Sequence, residues 1–289
     1  MERTISLYSF EEGEMEYSVI GKGVPVLVFH GGHSNCHEEF GYEALLQNGY
    51  SIITPSRPGY GKTYKKLGTS LAEACGYYAK LLDHLQIEKV HVLGISAGGP
   101  SGIYFSAAYP QRVHSLTLQS AVTKEWLTVK DMEYKAATIL FNPKTERLTW
   151  KLLASMNNAF PRFLFKQMFS SFSTLSYGEE KDKFTTEDLE SFRKMNNRQR
   201  SGHGFFIDLK QVNELSVAEL QTISAPTFIM HSKYDSSVPL EHASYAHQHI
   251  PKAELCHLEA WGHLIWLGNT KMQTDEHLLS FLSTHQINN

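Results

Sequence analysis

The sequence predicts an α/β fold: a mostly parallel sheet with helices on both faces, interrupted by a helical block. Three observations carry this. Short strand-like runs open the chain and then alternate with helical periods from about Leu71; the alternation stops after about Ala121; and it returns at Pro226–Ser232. Alternating strands and helices assemble into a parallel sheet covered on both sides.

Residues Thr4–Tyr8 and Met15–Ile20 read as strands, with Gly21-Lys22-Gly23 as the turn after the second. Val24–Phe29 is a compact apolar run ending at His30-Gly31-Gly32, and Ser51–Thr54 is a short strand closed by Pro55. Leu71, Cys75, Tyr78, Leu81, Leu82 and Leu85 recur at helical spacing behind Ser70, a suitable cap. Lys89–Leu93 reads as a buried strand, Gly94–Gly99 as a tight turn, Ser101–Tyr109 as a helix stopped by Pro110, and Val113–Gln119 as the next strand. After the break, Thr227–His231 and Ala253–Leu258 are strands, while Leu240–Gln248 and Thr274–Thr284 are helices. The expected division is a core of residues 1–123 and 224–289 with a helical insert of 124–223.

The insert is rich in large apolar side chains, among them Trp126, Trp150, Leu152, Met156, Phe160, Phe163, Phe165 and Phe169. Most are expected to form its own core and its seat on the sheet edge. Arg162 and Lys166 among so many Phe residues also fit an amphipathic membrane-surface helix. Pro161 suits a first helical turn, and Gly178–Glu190 reads as a solvated loop leading to a helix start at Thr185 or Thr186.

With 289 residues, 42% apolar and 20% charged, the chain has ordinary globular usage. A formal net charge of -3 and no long run of Lys or Arg speak against a nucleic-acid partner. Cys36, Cys75 and Cys256 lie far apart without metal spacing, as free thiols of a reducing compartment would. The first residues lack a signal-peptide pattern, and no window approaches the roughly 18 apolar residues that cross a bilayer. A cytoplasmic protein without stable membrane insertion is expected; the oligomeric state is left open.

Gly94-Ile95-Ser96-Ala97-Gly98 fits G-x-S-x-G and lies between a strand and a helix, the setting a nucleophile elbow requires. There the serine projects above the sheet at a helix N-terminus, where backbone dipoles favour developing negative charge. A serine hydroxyl is a poor nucleophile until a base takes its proton. Of 15 histidines, His263 stands out because Ala260-Trp261-Gly262-His263 follows the last strand, and loops after parallel strands converge on one edge. His257 lies within the strand and is expected to face packing. Asp235 follows the strand ending near His231 and is the candidate to orient the imidazole; Glu125, beyond Val113–Gln119, is the weaker rival. The order Ser96, Asp235, His263 is the one this elbow implies. The oxyanion donors are expected to be the backbone N–H groups of Ala97 and Gly32. His33 is a candidate pocket residue, and His30 a structural tie for its loop.

Together these residues resemble the capped α/β-hydrolase superfamily, in the branch of serine esterases and proline iminopeptidases. The likeness rests on His30-Gly31-Gly32, Arg57-Pro58-Gly59-Tyr60-Gly61, Gly94–Pro100, Pro110–Val113, Asp235 and Gly262-His263. It implies an eight-stranded sheet with a helical cap after the sixth strand. Members usually carry Asp before Arg-Pro-Gly-x-Gly; Ser56 stands there, which implies a weakened loop contact. Ser96 argues against dehalogenases and epoxide hydrolases, which carry Asp at the elbow. His33-Ser34 and Ala97 depart from proline iminopeptidases, which have Pro-Gly and Trp at those places. Carbon–carbon bond hydrolases and cofactor-free perhydrolases remain open. The expected activity is hydrolysis of a small, largely apolar carboxylic ester, with an amide or peptide substrate or a slow-turnover ligand sensor as alternatives. No metal or cofactor is expected, since a triad with oxyanion donors supplies the chemistry.

Overall fold

The computed structural model describes residues 2–126 and 132–285. The chain ends of the expected core, Met1 and 286–289, and residues 127–131 of the expected insert lie outside the described residues. A hairpin opens the chain: β1 (Arg3–Phe10) pairs antiparallel with β2 (Gly13–Gly21), and β2 pairs antiparallel with β4. Among themselves, β3 (Val24–Phe29) and the strands after it pair only in parallel. The chain runs through helix α1 (Tyr42–Gln47), β4 (Tyr50–Pro55), α2 (Leu71–His84), β5 (Val90–Ile95), α3 (Gly99–Ala108) and β6 (Val113–Gln119). Helices α4 (Met132–Leu140), α5 (Glu146–Ala159), α6 (Pro161–Phe172), α7 (Tyr177–Glu180), α8 (Thr186–Arg198), α9 (Gly204–Gln211) and α10 (Val217–Thr222) follow, before β7 (Thr227–Ser232), α11 (Glu241–His249), β8 (Glu254–Leu258) and α12 (Lys271–Thr284) close the sheet. The sheet has eight strands in the order β1-β2-β4-β3-β5-β6-β7-β8.

Its two faces hold two apolar clusters. Tyr78, Leu81, Ile103 and Phe105 of α2 and α3 cover one side, and Leu45, Trp266, Leu278 and Phe281 cover the other. Their central place, covered on both faces, explains why β5 and β7 are buried at every residue, the polar His91, Thr227, His231 and Ser232 included. Caps set the helix starts: Ser70 accepts from the Glu73 amide, and Thr185 forms a capping box with Asp188.

Four local expectations change. The solvated loop expected at Gly178–Glu190 contains the end of α7 and a 3₁₀ turn at Lys181–Lys183, tied by Lys183 to Glu180 at 2.6 Å. His257 is exposed rather than packed, because β8 is an edge strand with an open outer side. The aromatic stripe of the insert divides: Trp150, Phe165 and Phe169 are buried, whereas Leu152, Met156, Phe160 and Phe163 face solvent. The loop after β4 is not loosened by Ser56. Ser56 Oγ accepts the Cys36 amide (2.9 Å) and donates to Glu16 (3.0 Å), so a carboxylate reaches this loop from β2 instead.

Candidate functional site

The strand-to-helix turn after β5 puts Ser96 at φ 49°, in the left-handed region that costs a non-glycine residue strain. The turn closes because Gly98 and Gly99 carry no side chain. A Cβ on Gly98 would overlap the Phe29 carbonyl, and one on Gly99 the Val122 carbonyl. The Val122 amide in turn donates to the Ser96 carbonyl at 2.9 Å.

His263 and Asp235 arrive from the loops after β8 and β7. His263 Nε2 lies 3.0 Å from Ser96 Oγ, and its Nδ1 lies 2.7 Å from Asp235 Oδ2. The other carboxylate oxygen, Oδ1, accepts the amides of Ser237 and Val238, each at 2.9 Å. One oxygen thus anchors the acid and the other meets the imidazole. The Ser120 hydroxyl donates to the His263 carbonyl (2.9 Å), and the ring of Phe172 lies nearly parallel to the imidazole at 6.4 Å.

The end of α6 runs between the two loops. The carbonyl of Phe172 accepts the His263 amide (2.8 Å), the Thr174 amide donates to Tyr234 (2.9 Å), and Ser173 bridges Asp235. Gly262 is required for this approach, since a Cβ there would overlap the Phe172 carbonyl. Trp261 beside it sits in an aromatic cluster with Phe169, Phe184 and Phe165 at 4.9, 5.1 and 5.6 Å. Each such pair adds about 0.5–1.5 kcal/mol beyond its burial.

The loop after β3 supplies the opposite wall. Gly31 and Gly32 rest against the elbow: a Cβ on Gly31 would meet Ser96 Cβ at 3.3 Å, and one on Gly32 would meet Ala97 Cβ at 3.6 Å. Ala97 lies in the first turn of its helix, where amides have no intrahelical partner. His30 Nε2 accepts the Arg57 amide (3.0 Å), which leaves its Nδ1–H for the Gly31 carbonyl (2.8 Å). Arg57 also donates to the His30 carbonyl (2.9 Å) and the Gly31 carbonyl (3.3 Å).

Two partners were hidden from sequence reasoning. Asp208 of α9 forms a bidentate pair with buried Arg57 and accepts from Tyr60 Oη at 2.6 Å. Burial disfavours charge on Arg57, but Asp208 and Tyr60 beside it more than offset this and hold the guanidinium protonated. His231, inside β7, bonds through Nε2 to the Val238 carbonyl (2.8 Å) and lies 3.4 Å from Asp235 Oδ2. Burial lowers its pKa, and Asp235 only partly opposes this.

His33 stands at φ 60° among rings of the insert: Phe141 at 4.1 Å, Phe205 at 4.9 Å and Trp150 at 5.4 Å. Trp150 donates to Ser201 Oγ (2.8 Å), which leaves that hydroxyl's proton for His33 Nδ1 (2.8 Å). Burial, then the nearby Arg57, push its pKa down to about 3. Glu125 is exposed and takes no place beside His263. Among the described residues one trio, Glu16, Cys36 and His37, brings metal-ligating atoms within 4.8 Å of one another. Its carboxylate is already held by Ser56 and by the Lys62 amide at 3.1 Å.

With a serine, a histidine and an acid aligned over the edge of an eight-stranded sheet, relatives become informative. The profile of the α/β hydrolase fold matches residues 24–270. The chain belongs to the α/β-hydrolase fold family. A relative in Bacillus subtilis named uncharacterized hydrolase YcgS is 59% identical over 284 residues, covering 98% of this chain and 100% of its own. A 2-hydroxy-6-oxononadienedioate/2-hydroxy-6-oxononatrienedioate hydrolase of a Pseudomonas species is 27% identical over 87% of each chain. Among solved structures, an α/β hydrolase fold protein from Nakamurella multipartita has a TM-score of 0.82 and 26% identity, covering 96% of this chain and 99% of that one. Among the described residues of this α/β-fold hydrolase, no helix is long and apolar enough to cross a membrane.

Proposed function

We propose that this hydrolase cleaves a small, largely apolar carboxylic ester through a Ser96–His263–Asp235 triad. The observation that carries the reading is the continuous line of polar atoms from Ser96 Oγ to His263 (3.0 Å) to Asp235 (2.7 Å). His263 Nε2 takes the Ser96 proton as Oγ adds to the ester carbonyl. The imidazolium then returns that proton to the leaving alkoxide, giving an acyl-enzyme and an alcohol. Water, deprotonated by the same nitrogen, attacks the acyl carbonyl and releases acid and free Ser96. Asp235 holds the Nδ1–H tautomer throughout. In this reading the amides of Ala97 and Gly32 hold the oxyanion, a role in which one lost donor costs about 10²–10³ in kcat.

The helices between β6 and β7 serve in this reading as the cap, with His33 among the pocket walls. The three free cysteines fit a reducing compartment, and we assign the enzyme to the cytoplasm. Only an activated serine reacts quickly with a fluorophosphonate, so such a probe is expected to label the protein once, at Ser96. Labelling that survives Ser96→Ala overturns the assignment. Turnover of aryl esters against proline anilides then fixes the bond: faster anilide cleavage replaces the ester with an amide, and labelling with negligible turnover of either points to a ligand sensor.

A further inference from the structure

On its outer side the helical block between β6 and β7 exposes large apolar residues in an ordered row. Leu148, Leu152 and Met156 follow one another at four-residue steps along α5 and are 63%, 60% and 42% exposed. Residues four apart share a helix face. Phe160, 65% exposed, continues the row, and Phe163 in the first turn of α6 adds another exposed ring. The opposite side of α5 carries Trp150 and Asn157 into the interior. The row is therefore not the core face of the helix. Contiguous apolar patches of this kind mark contact surfaces on soluble proteins.

The exposed charges of α5 and α6 themselves have one sign. Arg147 and Lys151 run parallel to it on α5, Arg162 and Lys166 lie exposed on α6, and Lys135 and Lys144 precede them. The only acid in residues 135–170 is Glu146, which is buried and accepts the Ser201 amide at 3.1 Å. Arg147, Lys151 and Arg200 also line a cavity of about 490 Å³, together with Asn35, Gly202 and the one acid Glu146, so that three cations face a single carboxylate there. This local excess of cations stands against a chain whose net charge is -3.

We propose that this face docks reversibly on an anionic phospholipid surface. Leu148, Leu152, Met156 and Phe160 rest at the acyl boundary, and the cations meet headgroup phosphates, with Arg147, Lys151 and Arg200 taking a phosphate into their cavity. Apolar area and electrostatic attraction reinforce each other in such binding. A second copy of the chain is the poorer occupant, because a two-fold contact sets the same patch, and so the same excess of cations, on both sides of the interface.

The test is co-sedimentation with extruded vesicles. The wild-type chain is expected to pellet with equal parts phosphatidylcholine and phosphatidylglycerol, and about tenfold less with phosphatidylcholine alone or in high salt. Leu148→Asp/Leu152→Asp and, separately, Arg147→Glu/Lys151→Glu are expected to lose binding about tenfold. Both variants should keep the wild-type melting temperature and the fluorophosphonate labelling of Ser96; the second alters only exposed cations, so folding does not limit the test. No binding to the mixed vesicles, or variants that bind as well as wild type, overturns the proposal. A dimer by light scattering that Leu148→Asp/Leu152→Asp dissolves, without vesicle binding, gives the face to a second copy instead.

Discussion

Asp235 divides its two oxygens between jobs, and this makes its replacement informative. Asp235→Asn keeps an oxygen for the Ser237 and Val238 amides, so the loop is expected to stay in place. The amide nitrogen then faces His263 Nδ1 and favours the wrong tautomer, and kcat is expected to fall by up to about 10⁴-fold. Glu125→Gln should leave kcat within a factor of two or so, since a substitution on an exposed side chain is normally near neutral; greater damage there than at Asp235 would move the acid. Ser96, Asp235 and His263 could be picked out of the sequence because each follows a strand whose end lies on one edge. His231 could not. Its relation to Asp235 depends on the chain turning back after β7, and nothing in a histidine within an apolar strand announces that its ring meets the next loop's carboxylate.

Helix α9 reaches the wall opposite the elbow through Phe205, which stacks on His33, and through Asp208. Asp208 holds Arg57, and Arg57 with His30 draws the Gly31 carbonyl to one side. Across a trans peptide the next N–H points the other way, so the same contacts aim the Gly32 amide. Asp208→Asn is expected to lower stability by about 3–5 kcal/mol, the usual effect of leaving one member of a buried ion pair uncompensated. It should also lower kcat more than it raises KM, because a misdirected oxyanion donor is felt mainly in the transition state. Urea unfolding with steady-state kinetics checks both, and a change confined to KM would separate Asp208 from the oxyanion loop. The sequence showed Arg57 within its Pro-Gly-Tyr-Gly loop but not its partner 151 residues away. The strands and α2 were legible because period and caps are local signals. The fate of the aromatic stripe was not, since burial of Trp150 and exposure of Leu152 depend on which helices lie alongside α5.

At the scale of the whole molecule, several imidazoles are kept neutral by packing. Burial, then Arg57, lower His33 to about 3; burial, then Lys124, lower His242 to about 4, and burial first does the same to His91. An unfolded chain binds protons at these sites below about 6.5, whereas the folded chain refuses them until about 3 or 4. Their contribution to stability is therefore complete above the unfolded value and declines as pH falls from 7 toward 4, by at most about 1.4 kcal/mol per pH unit for each histidine. Urea midpoints are expected to drop from pH 7 to pH 5, and His242→Gln should flatten the slope; a midpoint that rises on acidification removes this account. A mostly parallel sheet of eight strands follows from the βα alternation and the resemblance, yet the order of its strands and the way the helices between β6 and β7 meet it rest on long-range packing. That packing has a mechanical consequence. Because Phe172, Ser173 and Thr174 are stitched to the strips carrying Asp235 and His263, the C-terminal end of α6 has no freedom to swing without disturbing the contacts among Ser96, His263 and Asp235. If the proposed cap moves to admit substrate, that end of α6 is expected to act as its fixed point, with the movement taken up by α4 and α5.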